Sequence, residues 1–261
     1  MSWWGKLIGG YLGFVLGGPL GALLGAVLGH GFDKGGEAVM PPGAAPGHQQ
    51  RAQAAFFTAT FSVMGHICKA DGRVTEDEIE IARRVMGQMA LNEAQKKAAI
   101  NLFTEGKKPG FPLRAVLVQL KRELGPAKNI KRMFVEIQCS AAYADGVMHP
   151  EEKRLLYRIC EIIGFSHYEL DSIAAAIEAE FHHRAGGRPG APGRMSLDDA
   201  YAILGVSPGA GKDEVKRAYR RLMNQHHPDK LIAKGLPEEM IKVATERSQE
   251  IREAYDRIMK K

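Results

Sequence analysis

Cysteine is scarce in this sequence: Cys68, Cys139 and Cys160 are the only three in 261 residues. Three cannot all be paired within one chain, and no CxxC pair occurs. Neither a disulfide framework nor a structural zinc site of four closely placed ligands is expected. Each cysteine lies in an apolar helical pattern, so buried free thiols in a reducing compartment are expected. Strand-like alternation is almost absent, and the chain is expected to be all-α. No nucleophile–base pair or phosphate loop is present, so neither enzymatic activity nor a cofactor is expected. The formal net charge is +6, but the excess is thinly spread. Residues 51–183 hold 18 Lys/Arg against 17 Asp/Glu, and residues 196–261 hold 13 against 11. With no basic tail or aromatic–basic platform, nucleic acid is not expected as a partner.

Charge is missing altogether between Lys6 and His30. What fills that interval is "GGYLGFVLGGPLGALLGAVLG", with glycine at every fourth position: Gly9, Gly13, Gly17, Gly21, Gly25 and Gly29. A flexible linker would carry polar fillers instead. As a helix the uncharged stretch is about 34 Å long, enough for a hydrocarbon core of roughly 30 Å. Trp3 and Trp4 stand just outside it, where interfacial aromatics belong. The expectation is a transmembrane helix over 7–31 after a short segment, 1–6. The alternative is a cleaved secretion signal, which should have a shorter apolar region and an A-x-A-like cleavage site. The glycine row suits right-handed GxxxG crossings and points to a homodimer through the membrane; accidental glycine enrichment is the other reading. Pro19 is expected to kink the span.

Two Pro/Gly-rich stretches, "MPPGAAPG" (40–47) and "AGGRPGAPGR" (185–194), read as linkers. They lie within 32–50 and 184–195 and set off a middle domain, 51–183, from a C-terminal domain, 196–261. Helix starts are marked by capping boxes at Thr75-x-x-Glu78 and Ser166-x-x-Glu169, with a similar pattern at Asn92-x-x-Gln95. Gly106 and Gly164 fit helix ends.

The middle domain holds an internal repeat: "KADGRVTEDEI" (69–79) returns as "YADGVMHPEEK" (143–153). Each copy falls between apolar helices, about 54–69 and 76–90 in the first, 130–143 and 150–163 in the second. Two similar helical hairpins in one core are expected. The Asp-Gly…Glu spacing matches the second half of a calcium-binding EF-hand loop. The first two ligand positions, however, are Ile67 and Lys69, and in the second copy Ala141 and Tyr143. Tight turns are the simpler reading, with the following helix capped by Thr75 or opened by Pro150. A metal site drawing oxygens from both repeats stays open. The arrangement resembles the TerB-like (tellurite-resistance) helical domain. That resemblance would implicate Asp71, Glu78, Asp145 and Glu152 as candidate metal ligands.

In the C-terminal domain, "KDEVKRAYRRLMNQ" (212–225) puts Val215, Ala218, Tyr219, Leu222 and Met223 on one helical face. Lys216, Arg217, Arg220, Arg221 and Asn224 fall on the other. A second amphipathic helix, about 238–259, presents Ile241, Ala244, Ser248, Ile251, Tyr255 and Ile258. Between them lies "HHPDK", where Pro228 pushes His227 out of the α region, ending the first helix and exposing His227 and Asp229 on a loop. This looks like a docking surface, not a catalytic pocket. The residues resemble a J-domain, the DnaK-activating module of DnaJ-type co-chaperones. Tyr201, Leu204, Gly205 and Val206 match its opening, Ala218, Tyr219, Arg220 and Leu222 its second helix, His227-Pro228-Asp229 its HPD loop, and Ala254-Tyr255 its third helix. The resemblance implies that Lys216, Arg217, Arg220 and Arg221 contact DnaK electrostatically, with His227, Pro228 and Asp229 as the trigger of ATP hydrolysis. Ser248 stands where the family often has Phe, which should loosen the third helix without touching the loop. "KLIAKGLPEEM" (230–240) makes a long crossing to that helix.

No Gly/Phe-rich region or CxxC repeat follows, so a DnaJ-type substrate-binding region is not expected. The three parts together resemble the membrane-anchored DnaJ-like co-chaperones. That implies a regulatory DnaK partner at the bacterial inner membrane, with the N-terminus periplasmic and the domains cytoplasmic, where DnaK and ATP are. Flanking charge does not set this orientation, since Lys6 and Lys34 lie on opposite sides. The alternative is a membrane-bound metal or stress sensor acting through the TerB-like domain.

Overall fold

The structure is a computed structural model that describes residues 18–23, 25, 47–69, 83, 86–87, 91–143, 146–185, 195–232, 236 and 240–260. Among these residues there is no strand. Of the expected span, residues 18–23 and 25 are described and helical, including Gly21 and Gly25; Gly9, Gly13, Gly17 and Gly29 lie outside the described residues. Gly18 has φ +63 immediately before Pro19. No helix among the described residues is long and apolar enough to cross a membrane. Leu20 is buried and its N–H donates to Gln119 Oε1 at 2.7 Å. An apolar turn needs cover, which protein gives here and which lipid gives a span inserted in a bilayer.

The middle domain is built around α1 (His48–Cys68), buried on nearly every side from Ala52 onward. A helix apolar all round must be central, and α1 packs against four others. These are α2 (Glu93–Gly106), α3 (Leu113–Leu124), α4 (Lys128–Ala142) and α5 (Pro150–Ile163). Phe56, Phe61, Met64 and Ile67 of α1 meet Leu102, Leu117, Leu120, Ile130, Phe134 and Leu156 in one core. Two polar groups inside it are bonded to backbone: Ser62 Oγ donates to the Thr58 carbonyl at 2.7 Å, and Gln138 Nε2 to that of Thr60 at 3.1 Å.

Two of the three capping patterns form as read, while Thr75 and Glu78 lie outside the described residues. Asn92 accepts from the Gln95 N–H, and Gln95 accepts from the Asn92 N–H, both at 2.9 Å. Ser166 and Glu169 do the same at the start of α6 (His167–Ala185). Pro150 opens α5, and Gly164 closes it at φ +95. Gly106 does end α2, for a reason the sequence reading did not contain. A Cβ there would lie 1.8 Å from the Ser62 carbonyl oxygen, and one at Gly65 would lie 2.0 Å from that of Phe103. The α1 and α2 backbones therefore touch at two glycines. All three cysteines are buried free thiols. Burial pushes the Cys139 thiol well up and that of Cys160 up to about 12, so neither is a reactive thiolate.

Helix α6 leads on to α7 (Leu197–Leu204), whose N-cap Ser196 accepts from the Asp199 N–H at 3.0 Å and whose C-cap Gly205 has φ +63. With α8 (Lys212–His226) and α10 (Ile241–Met259) it forms a second core of Tyr201, Leu204, Val215, Leu222, Ile251 and Ala254. A short helix, α9 (Pro228–Ile232), follows α8.

Candidate partner-docking surface

Helix α8 divides cleanly. Val215, Ala218 and Leu222 are buried toward α10, and Tyr219 stacks on Tyr255 with ring centres 4.3 Å apart. The other side carries Arg217, Arg220 and Arg221, all exposed, and Lys216, half-buried. None of the four is ion-paired among the described residues. Their spacing places 216 above 220 and 217 above 221, two adjacent rows of positive charge within two helical turns. A field of one sign on a rigid face steers an acidic partner toward it.

His227 ends α8 with φ −62 and ψ 121, the extended backbone that a following proline demands. Its carbonyl accepts the N–H groups of Lys230 and Leu231, each at 3.1 Å. Asp229 therefore sits in the first turn of α9 and not on an open loop as the sequence reading had it. The expected exposure is there: the side chains of His227 and Asp229 are 46% and 87% accessible, with Nδ1 and Oδ2 3.9 Å apart, too far for a hydrogen bond. Lys230 braces α9 by donating to Asn224 Oδ1.

The base of this turn is the reverse: dry and charged. His226 is 2% exposed and its Nε2 faces Glu136 Oε1 of α4 at 3.5 Å. Glu136 also accepts from Arg132 Nε at 2.9 Å. Burial opposes charge on Glu136, but His226, Arg132 and Arg247 outweigh it and hold the carboxyl below its ordinary value. Burial also holds the His226 imidazole low, with Glu136 only partly countering it. From α10, Ser248 Oγ donates to the His226 carbonyl at 2.9 Å. The expectation that Ser248 leaves the loop untouched is corrected by that bond: the serine caps the last carbonyl before the trigger.

Lys216, Arg217, Arg220, Arg221, His227, Pro228 and Asp229 thus lie on one helix and the turn that follows it. Glu136 and His226 were not singled out from sequence, although a glutamate among the apolar neighbours Met133, Phe134 and Ile137 is itself a signal of a buried partner. Asp71, Glu78 and Asp145 lie outside the described residues. Glu152 is buried with its Oε2 taking the His149 N–H at 2.9 Å, a helix-capping task. Among the described residues no group of three or more His, Cys, Asp or Glu could hold a metal ion.

Three family models match the chain in order: the co-chaperone DjlA transmembrane domain over residues 1–50, tellurite resistance protein TerB over 57–175, and the DnaJ domain over 199–261. Co-chaperone protein DjlA of Vibrio cholerae is 45% identical to it, over all of this chain and 98% of that protein. The Photobacterium profundum protein of that name is 44% identical over 98% of each chain. That of Coxiella burnetii is 43% identical over all of this chain and 98% of its own. No solved structure matches at a comparable level. With its transmembrane-domain match, TerB domain and J-domain in this order and near 44% identity throughout, the chain belongs to the DjlA family of co-chaperones.

Proposed function

We propose that this chain recruits DnaK to the inner membrane and stimulates its ATP hydrolysis through the J-domain, acting by binding and not as an enzyme itself. The observation that carries the reading is the continuity of the surface. Four cations on the outer side of α8 run directly into an exposed His227 and Asp229, while everything beneath them is packed. The cations set approach and orientation, and the trigger turn is presented at the end of the helix that makes the first contact. The N-terminal helix holds this surface at the membrane, and its glycine row pairs two copies. The domains face the cytoplasm, the side that holds DnaK and ATP.

The docking half of the reading is tested by binding of the full chain, in lipid nanodiscs, to immobilised DnaK. Replacing Arg220→Glu together with Arg221→Glu should slow association by roughly tenfold or more, and raised salt should weaken the unaltered chain in the same way. Equal association by both chains at low salt would remove the basic face from the mechanism.

A further inference from the structure

The trigger is bracketed on both sides by residues anchored in the middle domain. Before it, His226 is buried against Glu136 of α4. After it, Leu231 and Leu236, both fully buried, belong to the same cluster as the middle-domain core, as do Met240 and Ala244. Three exposed or half-exposed residues, His227, Pro228 and Asp229, are thus suspended between two fixed points on another domain.

A buried carboxylate is costly unless it is paired, and the pairing here has members from three elements. From α4 come Arg132 and Glu136, from α8 His226, and from α10 Arg247, Glu250 and the Ser248 hydroxyl. A Pro/Gly-rich linker alone would let two domains move independently. This seam does the opposite, and it does so at the residue preceding the trigger.

We propose that the middle domain is a positioning part of the trigger: Glu136, seated against His226, holds His227-Pro228-Asp229 in its docking geometry, so that the state of α4 sets the output of the J-domain. The inference rests on the co-chaperone reading above. Since the basic face lies elsewhere on α8, the seam governs how well bound DnaK is activated and not how tightly it is held.

The test uses the full chain in lipid nanodiscs, with single-turnover ATP hydrolysis by DnaK measured against co-chaperone concentration. Amide exchange over residues 229–236 is followed in parallel. Glu136→Ala should lower maximal stimulation roughly threefold to tenfold with half-maximal concentration unchanged, and speed exchange at 229–236 but not at 251–258. Glu136→Gln, which keeps the shape and one acceptor, should recover part of both. His226→Leu breaks the seam from the other side while leaving the Arg132–Glu136 pair, and decides the matter if Glu136→Ala does not fold. Unchanged stimulation and unchanged exchange in a folded variant would overturn the inference, as would increased stimulation. Should the unaltered chain fail to stimulate DnaK, the co-chaperone reading falls by itself. Exchange at 229–236 then still decides the seam: faster in the variants upholds it, unchanged removes it.

Discussion

His226 is the residue where burial and charge conflict most directly. Its folded imidazole is held below the ordinary value of 6.5, first by burial, with Glu136 pulling weakly the other way. As pH falls through that value, the unfolded chain takes up a proton that the folded chain refuses. The contribution is therefore intact above about 6.5 and lost progressively below it. His66, lowered mainly by burial, acts in the same sense, and Glu136 adds its own loss only nearer its ordinary 4.5. The urea midpoint of the full chain should drop between about pH 7 and pH 5.5, and drop less in His226→Leu. Equal slopes in the two chains would show that His226 titrates as it does in the unfolded state. Sequence assigned His226 no role and pointed to His227 as part of the trigger. Burial of the first and exposure of the second follow from a glutamate 90 positions earlier, which no local pattern can report.

At the scale of the elements, the close approach of α1 and α2 makes its own prediction. A methyl group at Gly65 or Gly106 has backbone oxygen in its place, and backbone cannot give way as a flexible side chain does. Gly65→Ala and Gly106→Ala should each cost about 1–3 kcal/mol or more in urea unfolding. Gly87→Ala, on a helical residue with nothing within 4 Å, should be neutral or slightly stabilising. A neutral or stabilising effect at all three positions would mean that helix propensity, and not contact, sets the values. Helix starts were legible because capping is local: Asn92 with Gln95 and Ser166 with Glu169 satisfy each other within three residues. The role of Gly106 was not, since its partner lies 44 residues away across the core. The division of α8 was legible for the same local reason, as its period of 3.6 sorts buried from exposed side chains without reference to the rest of the chain. Ser248 fails that test: its bond partner is on another helix.

At the scale of the whole molecule, the all-α class and the order of anchor, TerB domain and J-domain could be read from absences, one glycine row and a handful of motifs. The match to DjlA relatives along the full length supports that order. What could not be read was the seam by which the middle domain reaches the trigger, since it joins residues on α4, α8, α10 and the crossing between them. In sequence a linker sets the two domains apart, and burial of Leu231, Leu236 and His226 joins them. The central claim is that this assembled molecule activates DnaK through its exposed trigger. Single-turnover ATP hydrolysis by DnaK, with the full chain in lipid beside the same chain carrying His227→Gln, tests it most directly. His227 is exposed, so the substitution leaves folding intact, and stimulation by the first chain with none by the second is the predicted result. Equal stimulation by both chains, or none by a folded and inserted parent chain, would contradict the account.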